Sequence, residues 1–217
     1  MLTMNTIFTH YQTAPLGKQL ATENWESFVY ELGEQLVYKE IKTENDLNPG
    51  MKNYEERCVL QQFWCSETHF ENMSRDNVIL QDKLSSFYPE SISMQTESRF
   101  HPDKTAIVTI QRKIEGSLLL EMDEYQSESL SQLHSIVADL TSTAFKAPLD
   151  FHPGNIMLEK NTDALYFFDT GTPSDWAFFL DAKKLQSAIP IENHKANMFV
   201  EFMKPIYKIH KSNCNMN

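Results

Sequence analysis

The sequence predicts an α+β fold, with a β-rich first part and a mainly helical second part. Short β-prone runs bounded by turn-forming residues indicate strands over 16–21, 27–32, 35–41, 91–99 and 105–113. Apolar residues spaced three and four apart indicate helices over 51–66, 127–145 and 175–210. The order of these elements predicts two lobes that are joined by a connector.

The predicted elements of the first part follow one another through short turns. Gly33 and Glu34 form the turn before the third strand, and a loop rich in Pro, Gly, Asn and Asp spans 43–50. The following helix carries its apolar residues at helical spacing, at Val59, Leu60, Phe63 and Trp64. The polar stretch 67–86 is left unassigned, and the region 67–90 is interpreted as a loop or as a surface that contacts the substrate.

A connector with Gly116 as its hinge opens the second part of the chain, at 114–117. A strand, a turn and a second strand are predicted within 147–176, and the last helical stretch is expected to break at Pro190 and Pro205. These features predict a flexible N-terminus or secretion signal, a first lobe and a second lobe, with bounds at 1–15, 16–116 and 117–217.

The composition excludes some classes of protein. With 41% apolar and 12% aromatic residues the chain has enough material for a core, and its net charge of −11 argues against binding nucleic acid or an anionic membrane surface. The apolar runs are shorter than the roughly 20 residues that span a bilayer, so we expect no membrane association. The three cysteines form no metal-ligand pattern, and we expect them to be reduced.

The N-terminal segment lacks the basic and apolar regions of a Sec signal peptide. It is rich in Thr and Asn and has no acidic residue before Glu23. Two interpretations stay open, a signal for specialised secretion and a frayed terminus.

One constellation carries the chemistry: Asp150-Phe-His-Pro-Gly-Asn155, three apolar residues, and then Tyr-Phe-Phe-Asp169-Thr-Gly171. A carboxylate such as Asp150 can orient a hydroxyl group and accept its proton. Asn155 and Asp169 offer the oxygen ligands that Mg²⁺ prefers, and the predicted hairpin between them brings both to one place. The alternative is a plain turn, because Pro, Gly, Asn and Asp are all turn formers.

Two charged residues upstream extend this constellation. Lys39 lies on the third predicted strand, after Leu-Val-Tyr, and Glu56 shares a predicted helical face with Val59, Leu60 and Phe63. We therefore expect Glu56 to point inward and to pair with Lys39, with Glu55 as its rival, because a charge on an apolar face is costly unless it is paired. The alternatives are an exposed strand lysine and a solvated helix glutamate.

Together these residues resemble the motif set of protein kinases. The His-Pro-Gly-Asn wording is similar to that of aminoglycoside-phosphotransferase-like and other atypical kinases. The resemblance implies a minimal bilobal kinase-like fold, a β-rich N-lobe with one αC-type helix and a reduced, mainly helical C-lobe. It also implies ATP and magnesium as cofactors.

The resemblance assigns a role to each matching residue. It implies that Asp150, Lys39 and Glu56 act in catalysis and that Asn155 and Asp169 hold the metal. The residues implied to bind the nucleotide are Lys39, Trp25, Asn155 and Asp169.

The chain departs from the kinase pattern in its first turn and in its length. Residues 21–27 contain no glycine where kinases have a glycine-rich loop, and Glu23 and Glu26 would repel phosphates if they pointed inward. Trp25 is a candidate to cover the nucleotide. The missing glycines leave open a pseudokinase that binds partners. Only residues 172–217 follow Gly171, which is too short for a full kinase C-lobe.

Small size and a polar N-terminus resemble the minimal effector kinases that bacteria inject into host cells, and the HopBF family of type III secreted effectors in particular. That resemblance implies a serine/threonine kinase that acts in the host cytoplasm on a eukaryotic heat-shock chaperone and inactivates it. We expect a monomer, and a cytoplasmic protein if the chain is not secreted. A small-molecule kinase stays as an alternative.

Overall fold

The computed structural model describes residues 15–21, 26–97, 105–123, 131–132, 135, 153–168, 181–188 and 192–214. Two compact units divide the chain between Ile114 and Glu115. Most of the helix predicted over 127–145 lies outside the described residues. The predicted α+β class is confirmed by the elements of both units.

The first unit is built on a five-stranded antiparallel sheet with the strand order β1-β2-β3-β5-β4. The strands are β1 (Leu16–Ala21), β2 (Ser27–Leu32), β3 (Leu36–Ile41), β4 (Ser91–Glu97) and β5 (Thr105–Arg112). The crossover between β3 and β5 leaves β4 at the edge, so the helical segment between β3 and β4 passes beside the sheet. Each of these strands falls on a β-prone run of the sequence.

Two helices connect β3 and β4, where the sequence predicted one. Helix α1 spans Tyr54–Trp64 and helix α2 spans Glu67–Leu84. Ser66 caps α2 by accepting a hydrogen bond from the main-chain N–H of His69. The polar stretch for which the sequence pattern predicts no element is therefore helical over Glu67–Leu84. Its Ser66 cap and the spacing of Phe70, Met73 and Leu80 are the signals that would have predicted it.

One face of the sheet forms the apolar core of this unit. The fully buried residues of that face are Leu32, Leu36, Tyr38, Val108 and Ile110. They alternate along their strands with residues of the other face, as the two-residue period of a strand requires. Glu40 lies on the core face and is 1% exposed, and its carboxylate accepts a hydrogen bond of 2.8 Å from the Tyr38 hydroxyl. The opposite face is the more polar one and carries Lys39.

The second unit contains a three-stranded sheet with the order β6-β7-β8 and two helices. Its elements are β6 (Gly116–Leu118), β7 (Ile156–Glu159), β8 (Leu165–Phe167), α3 (Ala182–Ala188) and α4 (Asn193–Cys214). The predicted connector is thus partly a strand. Gly116 begins β6 and lies against the main chain of Leu158. None of the described helices is long and apolar enough to cross a membrane.

Helix α4 continues through Pro205, so the predicted break at this residue is wrong. A proline inside a helix removes one hydrogen bond and crowds the preceding turn. Burial of apolar side chains in the preceding two turns compensates for the lost hydrogen bond. Phe199, Phe202 and Met203 are 0%, 3% and 1% exposed. The packing of these residues holds the helix on the N-terminal side of the proline. Pro190 lies outside the described residues.

Replacing Gly116 by alanine is expected to disturb the pairing of β6 with β7. A Cβ atom at position 116 would lie 2.0 Å from the Leu158 carbonyl oxygen, so the two strands would have to separate. We expect a loss of about 1–3 kcal/mol in the free energy of unfolding, measured by denaturant titration. The control is Gly50→Ala, where the new Cβ meets only the Asn48 side chain at 3.3 Å and should change stability by less than about 0.5 kcal/mol. Equal effects of the two substitutions would contradict the close approach at Gly116.

Candidate active site

Lys39 lies in a row of four residues that crosses the sheet on its polar face. The register places Lys39 opposite Val29 of β2 and opposite Thr109 of β5, and Thr109 opposite Ser93 of β4. Residues that face each other across antiparallel strands project from the same side of a sheet. Lys39 is half-buried. Its stem therefore lies between an apolar and a hydroxyl side chain on a rigid surface.

The neighbouring row on this face consists of Glu31, Val37, Gln111 and Ser91. Val37 precedes Lys39 by two residues on β3, and Val29 stands opposite Lys39. The two valines thus give this face an apolar strip beside a cation. Such a surface can stack against a flat aromatic base while the ammonium group meets an anionic group attached to it.

The chain leaves the first unit at a point that is held by two contacts. The main-chain N–H of Lys113 donates to the Gln35 carbonyl at 2.7 Å, and its ammonium group lies 2.8 Å from the Glu31 carboxylate. The hydrogen bond and the charge of Lys113 hold the pKa of Glu31 below its usual range. Glu31 belongs to the second row, so this pair ties the exit strand β5 to the candidate face.

The turn between β1 and β2 is held at its last residue. The carbonyl oxygen of Glu26 accepts hydrogen bonds from the main chain of Lys42 at 3.0 Å and from the side-chain amide of Gln61 at 3.2 Å. Gln61 belongs to α1 and is completely buried. Trp25, predicted to cover the nucleotide, lies outside the described residues.

Helix α1 presents a different face to the protein than its apolar period predicted. Val59, Leu60 and Phe63 are 65%, 36% and 54% exposed, and Glu56 is exposed with them. The inward orientation predicted for Glu56 is therefore wrong. Because its carboxylate is exposed to solvent, burial does not favour an ion pair between Glu56 and Lys39. Glu55, the rival residue, is also exposed.

Polar contacts explain this orientation of α1. Its buried face is formed by Tyr54, Arg57, Cys58, Gln61, Trp64 and Cys65. Gln61 binds the Glu26 carbonyl, and the Cys65 thiol lies 3.5 Å from the carbonyl oxygen of Lys42. Both acceptors belong to the main chain at the ends of β2 and β3. These contacts outweigh the apolar stripe. Cys58 and Cys65 are free thiols, and the reduced state of the three cysteines stays a prediction.

The helix that packs on β4 is α2, which lies where the sequence pattern predicts no helix. Its Asn77 is 8% exposed and donates a hydrogen bond to Ser93, the last residue of the Lys39 row. Gln81 of the same helix donates to the carbonyl oxygen of Pro89 at 2.8 Å. Through Asn77, α2 thus reaches the candidate face with an amide.

In the second unit, a hairpin brings Asn155 close to Phe168, the residue that precedes Asp169 in the sequence. Ile156 pairs with Phe167, and the main-chain N–H of Phe168 donates to the carbonyl oxygen of Asn155 at 3.0 Å. Asp169 therefore comes directly after Phe168 in the sequence, and Phe168 is the residue that is hydrogen-bonded to Asn155. Asp163 adopts a positive φ of 55° in the turn of the hairpin. Asp150, His152 and Asp169 lie outside the described residues, and the roles assigned to the site residues stay predictions.

No family model matches the sequence, and no curated protein matches it. Solved structures do match. A WbdD structure is 16% identical, covers 89% of this chain and 46% of its own chain, and has a TM-score of 0.48. A structure of the bifunctional kinase-methyltransferase WbdD is also 16% identical, covers 84% and 43%, and has a TM-score of 0.43. The kinase PK-1 of Cydia pomonella granulovirus is 12% identical and covers 96% and 72%, at a TM-score of 0.47. This chain spans less than half of the WbdD chains.

The orientation of α1 can be tested with one substitution at two adjacent positions. Gln61→Met should lower the free energy of unfolding by about 1–3 kcal/mol, because the buried Glu26 carbonyl loses a donor. Gln62→Met removes only an exposed contact with Glu44 and should change it by less than about 0.5 kcal/mol. Denaturant titration of both variants gives the comparison. A larger loss at Gln62 would support the orientation that the apolar period predicts.

Proposed function

We propose that this protein is an ATP- and magnesium-dependent phosphotransferase with a kinase-like arrangement of its site. The observation that carries the proposal is the hydrogen bond from Phe168 to the Asn155 carbonyl oxygen. It sets the end of the Asp-x-x-x-x-Asn motif beside the residue that precedes Asp169. The same spacing without this pairing would favour a plain turn.

The donor set at the hairpin fits magnesium. The side-chain amide oxygen of Asn155 and the carboxylate of Asp169 are hard oxygen ligands, which Mg²⁺ prefers over nitrogen or sulfur. Bound there, the ion would neutralise negative charge on the phosphates of ATP. Among the described residues no group of three His, Cys, Asp or Glu side chains forms a separate metal site.

The remaining residues have roles that follow from their chemistry. Lys39 offers a positive charge for the phosphates, and Val29 and Val37 offer an apolar surface for the adenine base. Asp150 orients the incoming hydroxyl group and accepts its proton as the new O–P bond forms and the bond to the ADP leaving group breaks. These roles need no carboxylate from α1.

The finer proposal is a serine/threonine protein kinase that is secreted into a host cell and phosphorylates a host protein there. The support for it is the resemblance of the sequence to HopBF-type effectors, which implies a heat-shock chaperone as the target. The acidic charge of the chain agrees with a protein rather than a nucleic acid as substrate.

A second candidate, a pseudokinase that binds nucleotide without transfer, is favoured by the exposure of Glu56. In active protein kinases the β3 lysine is held by a glutamate of the αC helix. An exposed Glu56 does not serve that purpose in the observed orientation of α1. Activity would then require Lys39 to be positioned by other residues.

The proposal predicts that Asp169→Asn abolishes phosphate transfer. Purified protein would be incubated with radiolabelled ATP, magnesium and a eukaryotic lysate, and in parallel with a panel of hydroxyl compounds. Loss of the metal ligand's charge should reduce transfer by roughly a hundredfold or more. Asp163→Asn is the matched control in the same hairpin, since Asn tolerates the positive φ at this exposed position.

The acceptor that becomes labelled decides between the candidates. A labelled protein band supports the protein kinase, and the band identifies the target. Labelling of a hydroxyl compound alone supports a small-molecule kinase. Nucleotide binding without any transfer supports the pseudokinase. Full transfer by the Asp169→Asn variant would refute the metal site.

A further inference from the structure

A network of buried and half-buried polar side chains runs from α2 to the strand beside Lys39. The side-chain amide of Asn77 donates to the Ser93 hydroxyl at 2.5 Å, and its carbonyl oxygen accepts from the Tyr88 hydroxyl at 2.8 Å. Both ends of the Asn77 amide are therefore engaged, in different directions. At 8% exposure the amide would be costly without these partners.

The network has two arms that start at Asn77. One arm leads through Ser93 toward Lys39, and the other leads through Tyr88 away from it. The Ser93 hydroxyl lies 3.2 Å from the Thr109 hydroxyl, and Thr109 is the cross-strand partner of Lys39 on β5. In the other direction the Tyr88 hydroxyl accepts a hydrogen bond of 3.3 Å from Ser91. Ser91 stands opposite Gln111, in the neighbouring row of the sheet.

The arm toward Lys39 restricts the side chain next to it. Threonine is β-branched and its χ1 angle is stiff, so a hydrogen bond between its Oγ1 and the Ser93 hydroxyl selects one rotamer. Side chains that face each other across antiparallel strands have Cβ atoms about 5 Å apart. The lysine stem thus lies beside a side chain whose rotamer depends on Ser93 and Asn77.

A buried polar network costs free energy when it is only partly satisfied and selects one arrangement when it is complete. Leucine or valine at positions 77 and 93 would pack a helix on a strand without that cost. An amide and two hydroxyls instead link α2 to β4 and, through Ser93, to β5. The network ends at the strand position beside the one basic residue of this row.

We propose that Asn77 and Ser93 are positioning residues that hold Lys39 for the phosphates of the nucleotide, through Thr109. The proposal rests on the phosphotransferase function proposed above and deepens it. Helix α2 takes over the task that the exposed Glu56 of α1 does not perform. It does so with neutral hydrogen bonds to the sheet.

The test compares the two arms in the full-length protein. Ser93→Ala removes the hydroxyl that connects Asn77 with Thr109, and Ser93→Thr keeps it. Tyr88→Phe removes a buried hydroxyl from the other arm of the same amide. For each variant, KM for ATP and kcat would be measured with magnesium, and the dissociation constant of a fluorescent ATP analogue would be measured separately.

We expect Ser93→Ala to raise KM and the dissociation constant about three- to tenfold, with a smaller change in kcat. Ser93→Thr should stay within about twofold of the wild type, and Tyr88→Phe should lower the melting temperature without changing KM. Thermal unfolding of Ser93→Ala accompanies the kinetics, so that a loss of folded protein is not read as weaker binding.

Each other outcome overturns the proposal. Unchanged KM and binding in Ser93→Ala, with an active wild type, would refute the positioning role and leave the phosphotransferase function standing. Equal increases in KM for Ser93→Ala and Tyr88→Phe would mean that the network only stabilises the fold. A Ser93→Thr variant as weak as Ser93→Ala would exclude the hydroxyl as the active group. A wild type that neither binds nor transfers would refute both proposals.

Discussion

The antiparallel pairing of β3 with β2 and β5 is the interaction on which the candidate site depends. Tyr38 is completely buried on the core face of β3, and Lys39 projects from the other face. A shift of the register by one residue would exchange the two faces and put the ammonium group in the core. The apolar core and the place of Lys39 are therefore set by one constraint, and loss of core packing would also displace the lysine.

The second unit places Asn155 by the same means. Ile156 and Phe167 are a buried cross-strand pair. Asn155 directly precedes β7, Phe168 directly follows β8, and the two are joined by a main-chain hydrogen bond. Side chains on short paired strands are held more firmly than side chains on long loops, which suits a site that needs fixed oxygen ligands. In each unit, a pair of strands with a buried face carries the polar residue at a defined position.

The strands and the positions of Lys39 and Asn155 could be predicted because alternation, short turns and motif spacing are local features of the sequence. The orientation of α1 could not, since the apolar stripe of Val59 and Phe63 is overruled by the bond of Gln61 to a carbonyl 35 residues away. Helix α2 was missed because its buried face uses Asn77, a residue that usually indicates a loop. In these two helices, polar contacts with distant strands decide the packing.

The contacts of Glu26 help to explain why the segment between β1 and β2 can lack glycine. A glycine-rich loop binds phosphates by bringing main-chain amides close to them. Here the last residue of the turn is bonded to β3 and, through Gln61, to α1, which anchors that end of the turn. For the function proposed, the affinity for phosphates would then come from Lys39 and the metal ligands more than from main-chain amides. A site that relies on one lysine has to hold that lysine well. Under the role proposed for Asn77 and Ser93, the hydrogen bonds of α2 to the sheet would meet this requirement.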